Sequence, residues 1–154
     1  MLFASKCRVL FYADKDPLTL RAHQIWRHEY GSDRDDVLIY EELDETFSCA
    51  VAKTKARDYL VIVSDQTLTS ESRFLPADKP FGKWQVFEPR DRGHEYAIDH
   101  ADGRWVIRSN WEAPNFRLME ASDQETGRSQ WRELIPHRAD IMLTGFDVFQ
   151  HYLV

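Results

Sequence analysis

The stretch "WRHEYGSDRDDVLIYEELDETFSCAV", residues 26–51, carries eight carboxylates: Glu29, Asp33, Asp35, Asp36, Glu41, Glu42, Asp44 and Glu45. Such density fits an acid–base pair, a cation site or an attraction for basic peptides. A glycosidase needs two carboxylates facing each other across a cleft. "EELDE" offers four within five residues, yet on a strand Glu41 and Glu42 point to opposite faces. The run also lacks the glycine-centred alternation of a calcium loop. Runs of charge are commonly solvated faces, so Asp33, Asp35 and Asp36 are expected in a solvated turn and Glu41 to Glu45 in a connecting loop.

Nucleophilic chemistry is no better served. A serine hydrolase sets its serine on a strand-to-helix elbow, GxSxG, beside a base and backbone donors for the oxyanion. None of the nine serines has those flanks, and Gly31-Ser32 reads as a polar turn. His23 and His28 are five apart and fall on opposite faces of an extended chain, while His94 and His100 share a face only on an unbroken strand. Surface or hydrogen-bonded histidines are expected, with no metal and no cofactor. Cys7 and Cys49 have no CxxC spacing and read as buried thiols of a reducing compartment.

The elements that would position these residues come from a soluble, single-domain composition: 154 residues, 43% hydrophobic, 13% aromatic and 30% charged. No apolar run approaches the ~18 residues of a membrane span, and the first residues lack the pattern of an export leader, so the cytoplasm is expected. A net charge of −6 disfavours nucleic acid and permits basic partners.

Short Val-, Ile- and aromatic-rich runs dominate the chain: "RVLFYAD", "VLIYEE", "FSCAVAK", "YLVIVSD", "KWQVFEP", "EYAIDH", "RWVIRSN", "NFRLMEA" and "WRELIP". They predict an all-β fold. Asp102-Gly103 marks the clearest hairpin. "LTLRAHQIWRHEYG" competes as a helix, with Leu18, Ala22, Ile25, Trp26 and Glu29 at helical spacing and Gly31 as a stop. A repeat runs through the chain. Trp84 and Trp131 are 47 apart, as are Pro89 and Pro136; Tyr40, Phe87 and Leu134 share the frame, and Val61, Ile62 and Ser64 match Val106, Ile107 and Ser109 at 45. A period of about 40–50 residues holding about four strands is the signature of a β-propeller blade. The chain holds a little over three such periods, and its last residues, "GFDVFQHYLV", read as an apolar strand without a turn.

The succession "TLRAHQIWRH", "LIYEELDETF", "SESRFLPAD", "PRDRGHEYAIDHADGRWVIRSN", "NFRL" and "ELIPHRADIMLTGFDVFQHYLV" resembles the propeller domain of the oligopeptidase B (protease II) group of the prolyl oligopeptidase family, from about Leu2 to Val154. Ala56 departs from the serine usual there. The resemblance implies a partial seven-bladed propeller over residues 1–154, of about three to four blades of four-stranded antiparallel sheet. It overrides the helix and places "HQIWRH" on a strand. It also implies a parent with a catalytic α/β-hydrolase domain that cleaves short peptides after Arg or Lys, the propeller restricting access. No catalytic residue carries over, and the chain alone is expected to be inactive. Glu45, Glu95 and Asp99 rank first as acids facing short basic peptides, because they enter or lie on inner strands. A stand-alone interaction scaffold is the alternative, without the repeat signatures of WD or kelch propellers. An open piece of propeller is also expected to self-associate through bare blade faces, built from Phe11, Ile25 and Trp26 at one end and Phe146, Phe149 and Leu153 at the other.

Overall fold

A computed structural model describes residues 2–3, 8–149 and 152–154. The chain forms three antiparallel four-stranded meanders, each pairing its strands in sequence order. The first comprises β1 (Leu2–Phe3), β2 (Val9–Lys15), β3 (Ala22–Glu29) and β4 (Val37–Glu41). The second comprises β5 (Ser48–Lys53), β6 (Tyr59–Gln66), β7 (Thr69–Pro76) and β8 (Gln85–Glu88). The third comprises β9 (Tyr96–Ala101), β10 (Arg104–Ser109), β11 (Arg117–Ser122) and β12 (Arg132–Ile135), with a 3-10 turn at Arg128–Gln130. This is the all-β, partial-propeller architecture that the repeat implies.

Alternation along β6 and β10 explains the stacking. Ile62 points back into the cluster with Val9, Phe11 and Ile25 of the first blade, while Val61 points forward to Trp105 and Ile107 of the third. Ile107 and Val106 repeat the scheme one blade on. The 47-residue frame is physical too: Trp84 and Trp131 each precede an outer strand and pack back on an aromatic ring of the preceding blade, Phe11 and Phe87 respectively. Tyr40, Phe87 and Leu134 each face forward from an outer strand. At the second seam Trp105 is fully buried, its ring 4.7 Å from Tyr59 and 5.1 Å from both Phe74 and Phe87. The β9–β10 hairpin turns through Asp102 and Gly103 at φ 53° and 70°, the doubly positive pair that a tight two-residue hairpin requires.

Residues 22–29 are extended and pair with β2 and β4, the strand that the resemblance places at "HQIWRH", so tertiary pairing prevails over helical spacing. Two expectations about the ends of the chain change. The C-terminal run does not end as a bare strand: Asp147 and Val154 exchange backbone hydrogen bonds of 2.7 and 3.0 Å, and Phe149 N–H donates to Tyr152 O, so the segment doubles back. With Leu143, its Phe146, Val148 and Leu153 cover Ala101, Val106 and Leu118 on the forward face of the third blade. Phe146 and Leu153 are therefore the cover of that face rather than a bare surface. Phe11 and Ile25 are likewise fully buried against the second blade. Of the three residues expected there, Trp26 alone lies on the opposite face of the first blade, half-buried, its indole N–H donating to Gln24 Oε1 at 3.1 Å.

Truncating Trp105 to alanine is expected to destabilise the chain by about 4 kcal/mol in denaturant unfolding. Self-association of the 154-residue chain is expected through the Trp26 face; sedimentation over a concentration series should show it, and Trp26→Glu should weaken it.

Candidate functional site

The acid run divides into distinct environments. Asp36 is not merely solvated: it accepts from Tyr12 OH at 2.5 Å and contacts His28 Nδ1 at 2.7 Å, which holds its carboxyl below the usual range, the tyrosine bond contributing most. Glu42 departs furthest from a loop acid, because it is 4% exposed at the seam between the first two blades. Its carboxylate accepts from Arg90 Nη2 at 2.6 Å, Tyr40 OH at 2.7 Å, Asp44 N–H at 3.0 Å and the Ser64 hydroxyl. Burial alone would raise its pKa, but these donors, Arg90 foremost, bring it down to about 2.

Arg90 is the hub of that seam. Its guanidinium lies 3.7 Å from the Phe47 ring centroid, and its backbone N–H donates to Glu71 Oε2 at 3.0 Å. Glu71 in turn pairs with Arg73, which stacks on Tyr40. Arg21 fastens the connection from β4 to β5 by donating to the carbonyls of Glu42, Asp44 and Phe47. The next seam uses the same chemistry. Glu88 accepts from Arg128 N–H at 2.8 Å, and the Arg128 guanidinium stacks 3.4 Å from the Trp111 centroid.

Glu45, Glu95 and Asp99 do not form one cluster. Glu45 is exposed in the turn before β5. Glu95 is half-buried just before β9, its backbone N–H donating to Asn110 Oδ1 at 2.8 Å and its Oε1 accepting from Asn110 Nδ2 at 3.3 Å. Asp99 lies four residues further, roughly 13 Å along an extended strand. Its Oδ1 accepts the N–H groups of Lys55 and His100 at 2.8 and 2.7 Å, tying the β5–β6 turn to the third blade.

The serine and histidine contacts are buried. His94 Nε2 lies 2.9 Å from Ser109 Oγ, but the serine is fully buried and the histidine 2% exposed, so no substrate reaches them. Burial, then the neighbouring Arg128 charge, pushes His94 down to about 4. His100 is as deeply buried between Asp58 and Asp123, beside a cavity of about 400 Å³ that Tyr59 and Asp78 also line. Cys49 is a buried thiol pushed up to about 11, by burial first and then by Glu42; Cys7 lies outside the described residues. Nothing local in the sequence signals these seams, because Glu42 and Arg90 are 48 residues apart and Glu88 and Arg128 are 40 apart.

Residues 4–154 match the family described as prolyl oligopeptidase, N-terminal β-propeller domain. Dipeptidyl aminopeptidase BI of Pseudoxanthomonas mexicana is 36% identical over 156 residues, taking in 100% of this chain and 21% of that protein. Protease 2 of Moraxella lacunata is 33% identical over 111 residues, 71% of this chain and 16% of that protein. Among solved structures, oligopeptidase B from Leishmania major superposes with a TM-score of 0.89 at 29% identity, over 99% of this chain and 22% of that one. Oligopeptidase B from Trypanosoma brucei with covalently bound antipain gives 0.87 at 25% identity, over 95% and 21%. The chain thus spans about a fifth of the length of the relatives it matches.

Arg90→Ala leaves Glu42 buried without its charge partner and is expected to cost about 3 kcal/mol. The Glu42 proton equilibrium adds a pH signature. Its folded pKa lies below the ordinary 4.5, so the unfolded chain binds the proton first: the stabilisation is complete above about 4.5 and is lost as pH falls towards 2. Chemical denaturation across that window should show the loss, and Glu42→Gln should flatten it.

Proposed function

Because the chain belongs to the prolyl oligopeptidase family through its N-terminal β-propeller domain, we propose that it is a non-catalytic segment of a seven-bladed propeller in a longer cytoplasmic serine peptidase. In that protein an α/β-hydrolase domain carries the reaction, and the propeller limits entry to short, flexible peptides. The observation that carries this reading is the continuous stack of three blades, each seam closed by a buried apolar cluster and a Glu–Arg contact. A wall built this way resists separation, as a size filter must. Likeness to oligopeptidase B over nearly the whole chain supports a parent that cleaves after Arg or Lys. Glu45, Glu95 and Asp99 then add negative potential for basic peptides along the inner strands.

One observation favours a second reading of the parent's activity. The relative identical at 36% over the whole chain is named a dipeptidyl aminopeptidase, an activity that removes dipeptides from an amino terminus. Both readings use the propeller as a barrier. They differ in product: dipeptides released stepwise, or internal cuts after basic residues.

The purified chain is expected to hydrolyse neither kind of substrate, since attraction and shape do not replace a nucleophile. In the longer protein, Arg90→Ala is expected to raise cleavage of long peptides relative to short ones by loosening the first seam, with the product lengths distinguishing the two activities. An unchanged long-to-short ratio in a correctly folded variant would remove the barrier role.

A further inference from the structure

A groove of about 390 Å³ runs along the outer rim of the seam between the first two blades. One wall is β4, from Leu38 to Tyr40; the other is the segment from Gly82 to Trp84 that leads into β8, and Ile62 lies at the base. Trp84 is fixed from behind, its ring edge-on to Phe11 at 5.8 Å. A concave site of this size, mainly apolar with a few polar groups at its mouth, has the make-up of a small-ligand site.

The second wall is held in place by the first blade. Arg27 donates to Pro80 O at 3.4 Å and lies 4.6 Å over the Phe81 ring, while Gly82 N–H donates to Lys79 O at 2.9 Å. The close approach of this loop to β7 needs glycine, because a Cβ at Gly82 would stand 3.0 Å from both Leu75 Cδ1 and Lys79 O. The groove is therefore preformed, and a ligand entering it has no loop to order.

Charge decides what the groove would take. Its charged lining residues, Arg73 and Lys83, are both cations, and among the described residues no carboxylate lines it. Arg73 stacks on Tyr40 at 4.4 Å and pairs with Glu71 Oε1 at 2.5 Å, so much of its charge is met from behind. Lys83 is exposed at the rim. Glu41, the next acid along β4, is engaged by Gln24 Nε2 at 2.7 Å. The contrast is with the cavity beside His100, where Asp58, Asp78 and Asp123 all take part in the lining. In a chain of net charge −6 this rim is a local site of the opposite sign, suited to an anion with an apolar body.

We propose that the groove is a binding site for small aryl carboxylates, the ring lying against Ile39 and Trp84 and the carboxylate meeting Lys83 and Arg73 at the rim. A free acid and the carboxyl end of a peptide with an aromatic last residue share that chemistry. The site stands on the groove alone and is independent of the peptidase reading.

Proton–nitrogen NMR of the chain, titrated at neutral pH with hydrocinnamate, tests it. The expected result is a saturable shift of the Trp84 indole N–H and the Gly82 amide, with a Kd on the order of a millimolar. The amide of the same acid, alike in shape and without charge, should bind about fivefold more weakly. Lys83→Gln changes an exposed side chain and should bring the acid down to the level of its amide, and Lys83→Glu should place it below. Acetyl-Ala-Phe with a free carboxyl end separates the two sources: tighter binding than hydrocinnamate assigns a peptide end, weaker binding a free acid. Equal affinity for acid and amide, an undiminished preference for the acid in Lys83→Gln, or no saturation by roughly 20 mM overturns the proposal.

Discussion

A twisted sheet with apolar side chains on both faces is stable only between two neighbours, and this constraint governs the chain. It makes Val61 and Ile62, adjacent on one strand, belong to different cores. It also explains why Leu143, Phe146, Val148 and Leu153 pack over the third blade: they cover Val106 and Leu118 on its forward face. The hydrophobic core is therefore a series of slabs between blades, each built by two neighbouring sheets.

Slabs of apolar side chains would slide if nothing fixed their register. The Glu–Arg contacts supply direction, because a carboxylate with four donors tolerates little displacement. Such buried ions are weak sources of net stability compared with apolar replacements. Their value lies in orientation: Glu42 meets Arg90 only when the first two blades are correctly rotated, and Glu88 meets Arg128 only when the next two are.

Most of the strand order was legible in the sequence, since β6, β9 and β10 have clear alternation and Asp102-Gly103 announces its own hairpin. β7 was not legible from its pattern. Its "TSES" half looks like a loop, yet Thr69 to Ser72 are buried. Ser70 Oγ accepts the Tyr96 N–H, Ser72 N–H donates to Tyr96 OH, and Glu71 accepts the Arg90 N–H, so polar residues fill the seam through partners about 20 residues away or more. No local window contains that information. The same reasoning explains Glu42. Nothing in "EELDE" distinguishes the buried acid from its exposed neighbours, because the distinction is made by Arg90 in another blade. β3 failed in the opposite sense: its spacing suits a helix, and only pairing with β2 and β4 decides otherwise.

Forward-facing Tyr40, Phe87 and Leu134 acquire their covering only from residues that come later in the chain. A blade leaving the ribosome therefore waits for the next. With about 47 residues per repeat and synthesis at roughly 5–20 residues per second, the forward faces of the first two blades wait about two to ten seconds for the whole of the next blade. Maturation is then vectorial, and the nascent chain always carries one unfinished apolar sheet at its growing end.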